Sequence, residues 1–133
     1  MFAGPLCQNR NGGRGPQGEC GASLQADSEW HSFEIRIGDG SEDFHEAHEC
    51  FWLFTAPLNR RVQLHVSWIQ DCFEDCGALG VEIFVHGFAT GGIKICCEDD
   101  SEGKVFTASG EAAAVRVYTM ALFADAEIAY RYV

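Results

Sequence analysis

Apolar side chains recur at every second position in one run after another of this chain, and that period commits it to strands with one buried face. Phe33, Ile35 and Ile37 share a face, and Val62, Leu64, Val66 and Trp68 share a face of the next long run. Val81 with Ile83 and Val85, Ile93 with Ile95, Val115 with Val117, and Ile128 with Tyr130 and Tyr132 repeat the pattern. Turn chemistry separates the runs: Gly38-Asp39-Gly40, Pro57-Leu58-Asn59, Gly91-Gly92 and Ser109-Gly110. Seven or more short strands of this kind make an all-β chain, built as a two-sheet sandwich or a small barrel. Only two segments tempt a helical reading. Ser41 to Glu49 is acidic and His-bearing and reads as a loop, while the alanine-rich Glu111 to Ala114 reads as the lead into the strand at Val115.

The 133 residues fit one domain, with a short appendage at the front. Residues 9–19, Asn9 to Glu19, hold too few apolar side chains to offset the entropy of ordering them and read as a Gly-rich linker. They join a stub, residues 1–8, to a body over residues 20–133. Nine basic residues against twenty acidic ones leave a net charge of −11, which repels phosphate backbones and anionic headgroups. Nucleic acid is therefore not an expected partner. No stretch approaches the roughly 20 apolar residues of a membrane span, so membrane insertion is not expected, and Met1 to Pro5 has neither the basic start nor the apolar run of a signal peptide.

Seven cysteines, Cys7, Cys20, Cys50, Cys72, Cys76, Cys96 and Cys97, point to an oxidising compartment and hence to a secreted protein. Zinc is the competing use of cysteine, but Cys72-x-x-x-Cys76 and the adjacent Cys96-Cys97 do not form paired C-x-x-C knuckles. An odd total leaves one thiol without a partner inside the chain.

Several landmarks then fall in a specific order. Cys20-Gly21-Ala22-Ser23-Leu24-Gln25-Ala26 with Trp30 following, Glu49-Cys50-Phe51-Trp52-Leu53-Phe54-Thr55-Ala56-Pro57, the run Val62 to Trp68, Cys76-Gly77-Ala78-Leu79-Gly80-Val81-Glu82-Ile83, Gly91 to Cys97, and Ala129-Tyr130-Arg131-Tyr132-Val133 together resemble a CUB domain. More narrowly, they are similar to the CUB module that follows an EGF-like module in nematode astacin-like zinc metalloproteases. The resemblance implies an antiparallel, jelly-roll-like β-sandwich of two sheets, stapled by disulfides. Phe2-Ala3-Gly4-Pro5-Leu6-Cys7 looks like the last turn of an EGF-like module, so the partner of Cys7 would lie upstream and the chain would be a fragment.

The same resemblance implies a Cys20–Cys50 bridge and a second bridge from the Cys76 region to the Cys96 region. Closing a loop of about 30 residues stabilises a fold by roughly 3 to 4 kcal/mol in the chain-entropy model. The second bridge has become a doublet here. Cys76 with Cys96 and Cys72 with Cys97 is the favoured pairing, and the other pairing among these four stays open.

Candidate chemistry is sparse. The family's calcium site uses an aspartate three residues after the third cysteine; this chain has Leu79 there, with no oxygen for a hard cation, so no family-type calcium site is expected. His45-Glu46-Ala47-His48-Glu49 departs from the zinc-protease motif, because its histidines are three apart rather than four and no third ligand is evident. His31, His65 and His86 read as exposed histidines. No nucleophile elbow, phosphate loop or dinucleotide fingerprint occurs. Phe73, Phe84 and Phe88 form a possible contact patch, with burial in the second half of the sandwich as the equal alternative for Phe84.

The expected function is that of a non-catalytic extracellular module recognising a protein substrate or a matrix protein. Zinc would then belong only to a catalytic domain of a parent astacin-like protease, and this chain would carry no cofactor. The alternative is a free-standing secreted binding or adhesion protein, lectin-like in use.

Overall fold

A computed structural model of the chain describes residues 20–38, 48–69, 79–87, 91–96, 104–120 and 123–133. Nine strands occur in chain order among them: β1 (Ser23–Gln25), β2 (His31–Ile37), β3 (His48–Thr55), β4 (Val62–Ile69), β5 (Leu79–Phe84), β6 (Ile93–Ile95), β7 (Phe106–Thr107), β8 (Ala112–Thr119) and β9 (Ala124–Tyr132). No helix occurs among the described residues. The strands form a five-stranded sheet in the order β1-β3-β8-β5-β6 and a four-stranded sheet in the order β2-β9-β4-β7. Every pairing is antiparallel except β1 with β3.

The two-residue period explains the layering. Trp52 and Phe54 on β3, Val115 and Val117 on β8, and Val81 and Ile83 on β5 point inward from one sheet. Phe33, Ile35 and Ile37 on β2, Val62, Leu64 and Val66 on β4, and Ile128 on β9 point inward from the other, and all of them are buried. Aromatic rings tie the layers at one end: Phe33 lies 6.1 Å from both Trp52 and Phe54, and Tyr130 lies 5.0 Å from Phe54, centroid to centroid. Such offset and tilted pairs add to what area burial alone contributes.

Two expectations change at their edges. His48 and Glu49, expected in a loop, already belong to β3. Trp68 does not share the buried face of Val62, Leu64 and Val66, because the β4–β9 register shifts between Val66 and Trp68. One extra residue at a bulge inverts the parity of everything after it. Ile69 therefore takes the core position opposite Ala126, and Trp68 turns outward, 44% exposed, opposite Glu127. Ile93, on the edge strand β6, is exposed as well.

Turns follow their chemistry. Asn59 has φ of 67°, in the left-handed region that Asn tolerates better than most residues. Its N–H donates to Glu111 Oε2 at 2.8 Å, and the Arg60 N–H donates to the Pro57 carbonyl at 3.0 Å. Gly92 is required for a different reason. A Cβ there would meet Glu82 Cγ at 2.5 Å and the Ile83 carbonyl oxygen at 2.9 Å.

Two measurements check this packing. Ile69→Ala should destabilise the fold by about 2 to 5 kcal/mol, and Trp68→Ala by about 0.5 kcal/mol or less, in urea unfolding; the reverse order would put Trp68 inside. Replacing Cys20 and Cys50 together by serine should lower stability by roughly 3 to 4 kcal/mol, and an unchanged midpoint would show that this bridge contributes nothing.

Candidate recognition surface

The expected disulfide at the start of the body is present. Cys20 and Cys50 are bonded, with Cα atoms 5.3 Å apart, and tie the residues before β1 to β3. Cys96 is disulfide-bonded too. Cys7, Cys72, Cys76 and Cys97 lie outside the described residues, as do Phe73, Phe88 and the His45 to Ala47 segment. Leu79 is buried in β5. Among the described residues no group of three or more His, Cys, Asp or Glu side chains is placed to hold a metal ion, and no helix is long and apolar enough to cross a membrane.

Phe84 leaves the contact patch. It is only 8% exposed and packs against Phe51, ring centroids 6.3 Å apart, on the outer face of the five-stranded sheet. Alternation with Val81 and Ile83 puts Phe84 on that outer face, and Phe51, brought alongside by sheet pairing, packs on it there.

The rest of that outer face is matched within itself. Arg116 on β8 donates from Nε to Glu49 Oε2 at 2.6 Å and from Nη1 to Glu82 Oε1 at 3.3 Å, while its guanidinium lies 4.4 Å from the Tyr118 ring centroid. Glu82 Oε2 also accepts the Gly92 N–H at 3.0 Å. One cation thus answers two largely buried carboxylates on neighbouring strands.

The outer face of the four-stranded sheet is different. Arg36 on β2 forks onto Asp125 on β9, Nε to Oδ1 at 2.7 Å and Nη2 to Oδ2 at 3.0 Å, and this raises the Arg36 pKa above its ordinary value. Its guanidinium also sits 4.5 Å from the Phe123 ring centroid. One step along the strands, Glu34 faces Glu127 across the β2–β9 ladder, and Trp68 faces Glu127 from the other side. Glu34, Ile35, Arg36, Trp68, Asp125 and Ala126 line a groove of 310 Å³. Glu34, Glu127 and Trp68 make no hydrogen bond, ion pair or ring contact among the described residues.

The histidines hold the margins. His31 Nε2 donates to Asp27 Oδ2 at 2.7 Å. The Asp27 carboxyl is held below its ordinary pKa, first by the Glu29 backbone N–H and then by His31. His65 Nδ1 donates to the Lys104 carbonyl at 2.6 Å. His86 is exposed and His48 is buried. Burial, and then the nearby Asp27 charge, push the Tyr130 hydroxyl above its usual value. Trp30, 39% exposed, carries the Arg131 guanidinium 4.7 Å from its ring centroid.

Sequence reasoning missed the groove. Glu34, Arg36, Asp125 and Glu127 become neighbours only through pairing of β2 with β9, and Trp68 joins them only through the bulge. The adjacent apolar pair Trp68-Ile69 is the one local signal that a parity change was coming.

No family model matches the chain. It is 27% identical over 121 residues to zinc metalloproteinase nas-28 of Caenorhabditis elegans, covering 86% of this chain and 24% of that protein. It is 25% identical to zinc metalloproteinase nas-27 of the same organism, covering 98% of this chain and 33% of that protein. A 63-residue stretch is 38% identical to zinc metalloproteinase dpy-31 of Brugia malayi. The chain thus spans a third or less of the proteinases it matches. Among solved structures it superimposes on the CUB1-EGF-CUB2 domains of human MASP-1/3 with a TM-score of 0.57 at 12% identity, over 96% of this chain and 50% of that one. The corresponding domains of rat MASP-1 give 0.55 at 15% identity, over 84% of this chain and 42% of that one. The two-sheet order, the Cys20–Cys50 bridge and these likenesses together show a CUB-type fold, with nematode astacin-type zinc metalloproteinases as the chain's sequence relatives.

Proposed function

We propose that this CUB domain is a non-catalytic recognition module of an extracellular astacin-like zinc metalloproteinase, and that it holds a protein substrate or a matrix protein near a catalytic domain elsewhere in the parent protein. The observation that carries the reading is the alignment itself: almost the whole chain matches only 24% and 33% of two zinc metalloproteinases, and that portion has a CUB fold. Oxidised Cys20, Cys50 and Cys96 support a secreted protein. In the same reading residues 1–8 end an EGF-like module whose upstream cysteine pairs with Cys7, residues 9–19 are the linker, and Cys72, Cys76 and Cys97 complete the bridges with Cys96. Zinc then belongs to the parent's catalytic domain, and this chain needs neither zinc nor calcium.

Tethering explains how such a module serves catalysis without reacting groups. A substrate held by the module is presented to the catalytic cleft at an effective concentration set by the linker. Binding of this kind lowers KM and leaves the chemical step unchanged. The exposed face of the four-stranded sheet, where Glu34 and Glu127 have no ion-pair partner among the described residues and Trp68 points outward, is the surface offered for it.

The test compares the full-length proteinase carrying this chain with a form lacking residues 20–133. Deletion should raise KM for a protein substrate by about tenfold or more, leave kcat/KM for a short peptide unchanged, and the isolated chain should cleave neither. Peptide hydrolysis by the isolated chain, or an unchanged KM for every protein substrate tried, would refute the reading.

A further inference from the structure

Among the described residues the two sheets end in four edge strands, and three of these are short. β1 and β6 close the five-stranded sheet with three residues each, and β7 closes one side of the other sheet with two. β2, at the remaining edge, runs for seven residues. Its ladder with β9 continues without a bulge from His31 opposite Tyr130 to Ile37 opposite Ala124. An antiparallel strand turns the N–H and C=O of every second residue away from its neighbour, so β2 presents a row of backbone donors and acceptors outward. None of that row is hydrogen-bonded among the described residues. Proteins blunt long edges with proline, a bulge or a charge turned inward. β2 carries none of these, and its inward residues are Phe33, Ile35 and Ile37.

The two layers are also unequal, with five strands against four. Phe33 of β2 lies 6.1 Å from both Trp52 and Phe54 of β3, so β3 lies over β2. β1 is one strand beyond β3 and reaches past the free edge of β2, with Leu24 turned inward and buried. The place beneath β1 and alongside β2 is one strand wide, and no strand of the described residues lies in it. A second copy does not fit there. Antiparallel pairing of β2 with its own copy needs a two-fold axis normal to the sheet, and β1 of each molecule would then run into β3 of the other.

From this edge and the place beside it we infer that β2 accepts an extended segment of the partner protein as a fifth strand of its sheet. Main-chain hydrogen bonds hold the segment, and apolar side chains at every second position turn inward beside Phe33, Ile35 and Ile37 and beneath Leu24. The inference rests on the recognition role proposed above and names the form in which the protein substrate or matrix protein is bound. Because the backbone supplies the affinity, the segment needs no particular charge.

The probe is the neutral peptide Ac-Ser-Val-Thr-Val-Thr-Val-Ser-NH2, which alternates in the required way. It is titrated into the whole chain while amide hydrogen exchange is followed by NMR. Without peptide, every second amide of β2 should exchange fast and the amides between them, bonded to β9, slowly. At saturation the fast set should slow by about tenfold or more, and the amides of β1, β6 and β7 should not change. N-methylation of the peptide at alternate residues then tests the backbone itself. The phase of methylation that blocks the amides facing β2 should weaken binding by about tenfold or more, and the other phase by less than about twofold.

Equal effects of the two phases would show that side chains hold the peptide and would overturn the inference. So would β2 amides that are all protected without peptide, since the chain itself would then occupy the edge. Protection that rises with the chain's own concentration would give the edge to a second copy, with the same consequence. In the parent proteinase, saturating peptide should raise KM for a protein substrate about as much as deletion of residues 20–133 does. A KM that depends on residues 20–133 but ignores peptide bound at β2 would overturn the strand assignment and leave the recognition role standing. A KM indifferent to both would remove both.

Discussion

Everything in this molecule depends on keeping two sheets in contact through a single apolar layer. Trp52 and Phe54 from one sheet meet Phe33 and Tyr130 from the other, and Val62, Leu64, Val66, Ile128, Val115 and Val117 fill the space alongside. Side chains in strands alternate strictly, so fixing which residues enter this layer also fixes which residues stand outside it. The Trp52 indole N–H has no hydrogen-bond partner among the described residues. A buried unpaired donor costs free energy, and the ring's packing at the centre of β3 offsets that cost. The Cys20–Cys50 bridge secures the same strand from its other end by limiting the unfolded chain.

The outer faces follow from that inner one but have different characters. On the five-stranded sheet the strands bring Arg116 between two glutamates and lay Phe51 against Phe84. On the four-stranded sheet the same rule of alternation sets Glu34 against Glu127 and, through one inserted residue, turns Trp68 outward. A bulge conserves the core by exchanging Trp68 for Ile69, and it creates a surface feature by the same exchange.

Much of this was legible in the residues. The period-two runs at Phe33 to Ile37, Val62 to Val66 and Val115 to Val117 identify β2, β4 and β8 and their buried faces, since alternation is a local property. Cys20 with Cys50 was legible through resemblance, because order along the chain carried the pairing. Trp68 was not, since a bulge is decided by what β9 offers opposite and the alternating run simply continues through Val66. Phe84 stayed ambiguous for a related reason: alternation sets it opposite Ile83, but whether that outer position is covered depends on Phe51 of β3, which only sheet pairing brings alongside. The groove was invisible altogether, because β2 and β9 are far apart in the chain and only their register makes Glu34 and Glu127 neighbours.

The central claim is that the parity of β4 inverts after Val66, so that of the three tryptophans Trp52 alone is enclosed. Hydrogen exchange of the three indole N–H groups, read by NMR on the native protein, tests it most directly. Trp52 should exchange only through opening of the sandwich, while Trp30 and Trp68 should exchange at rates near those of free indole. A Trp68 indole as protected as that of Trp52 would place it back in the core and contradict the account.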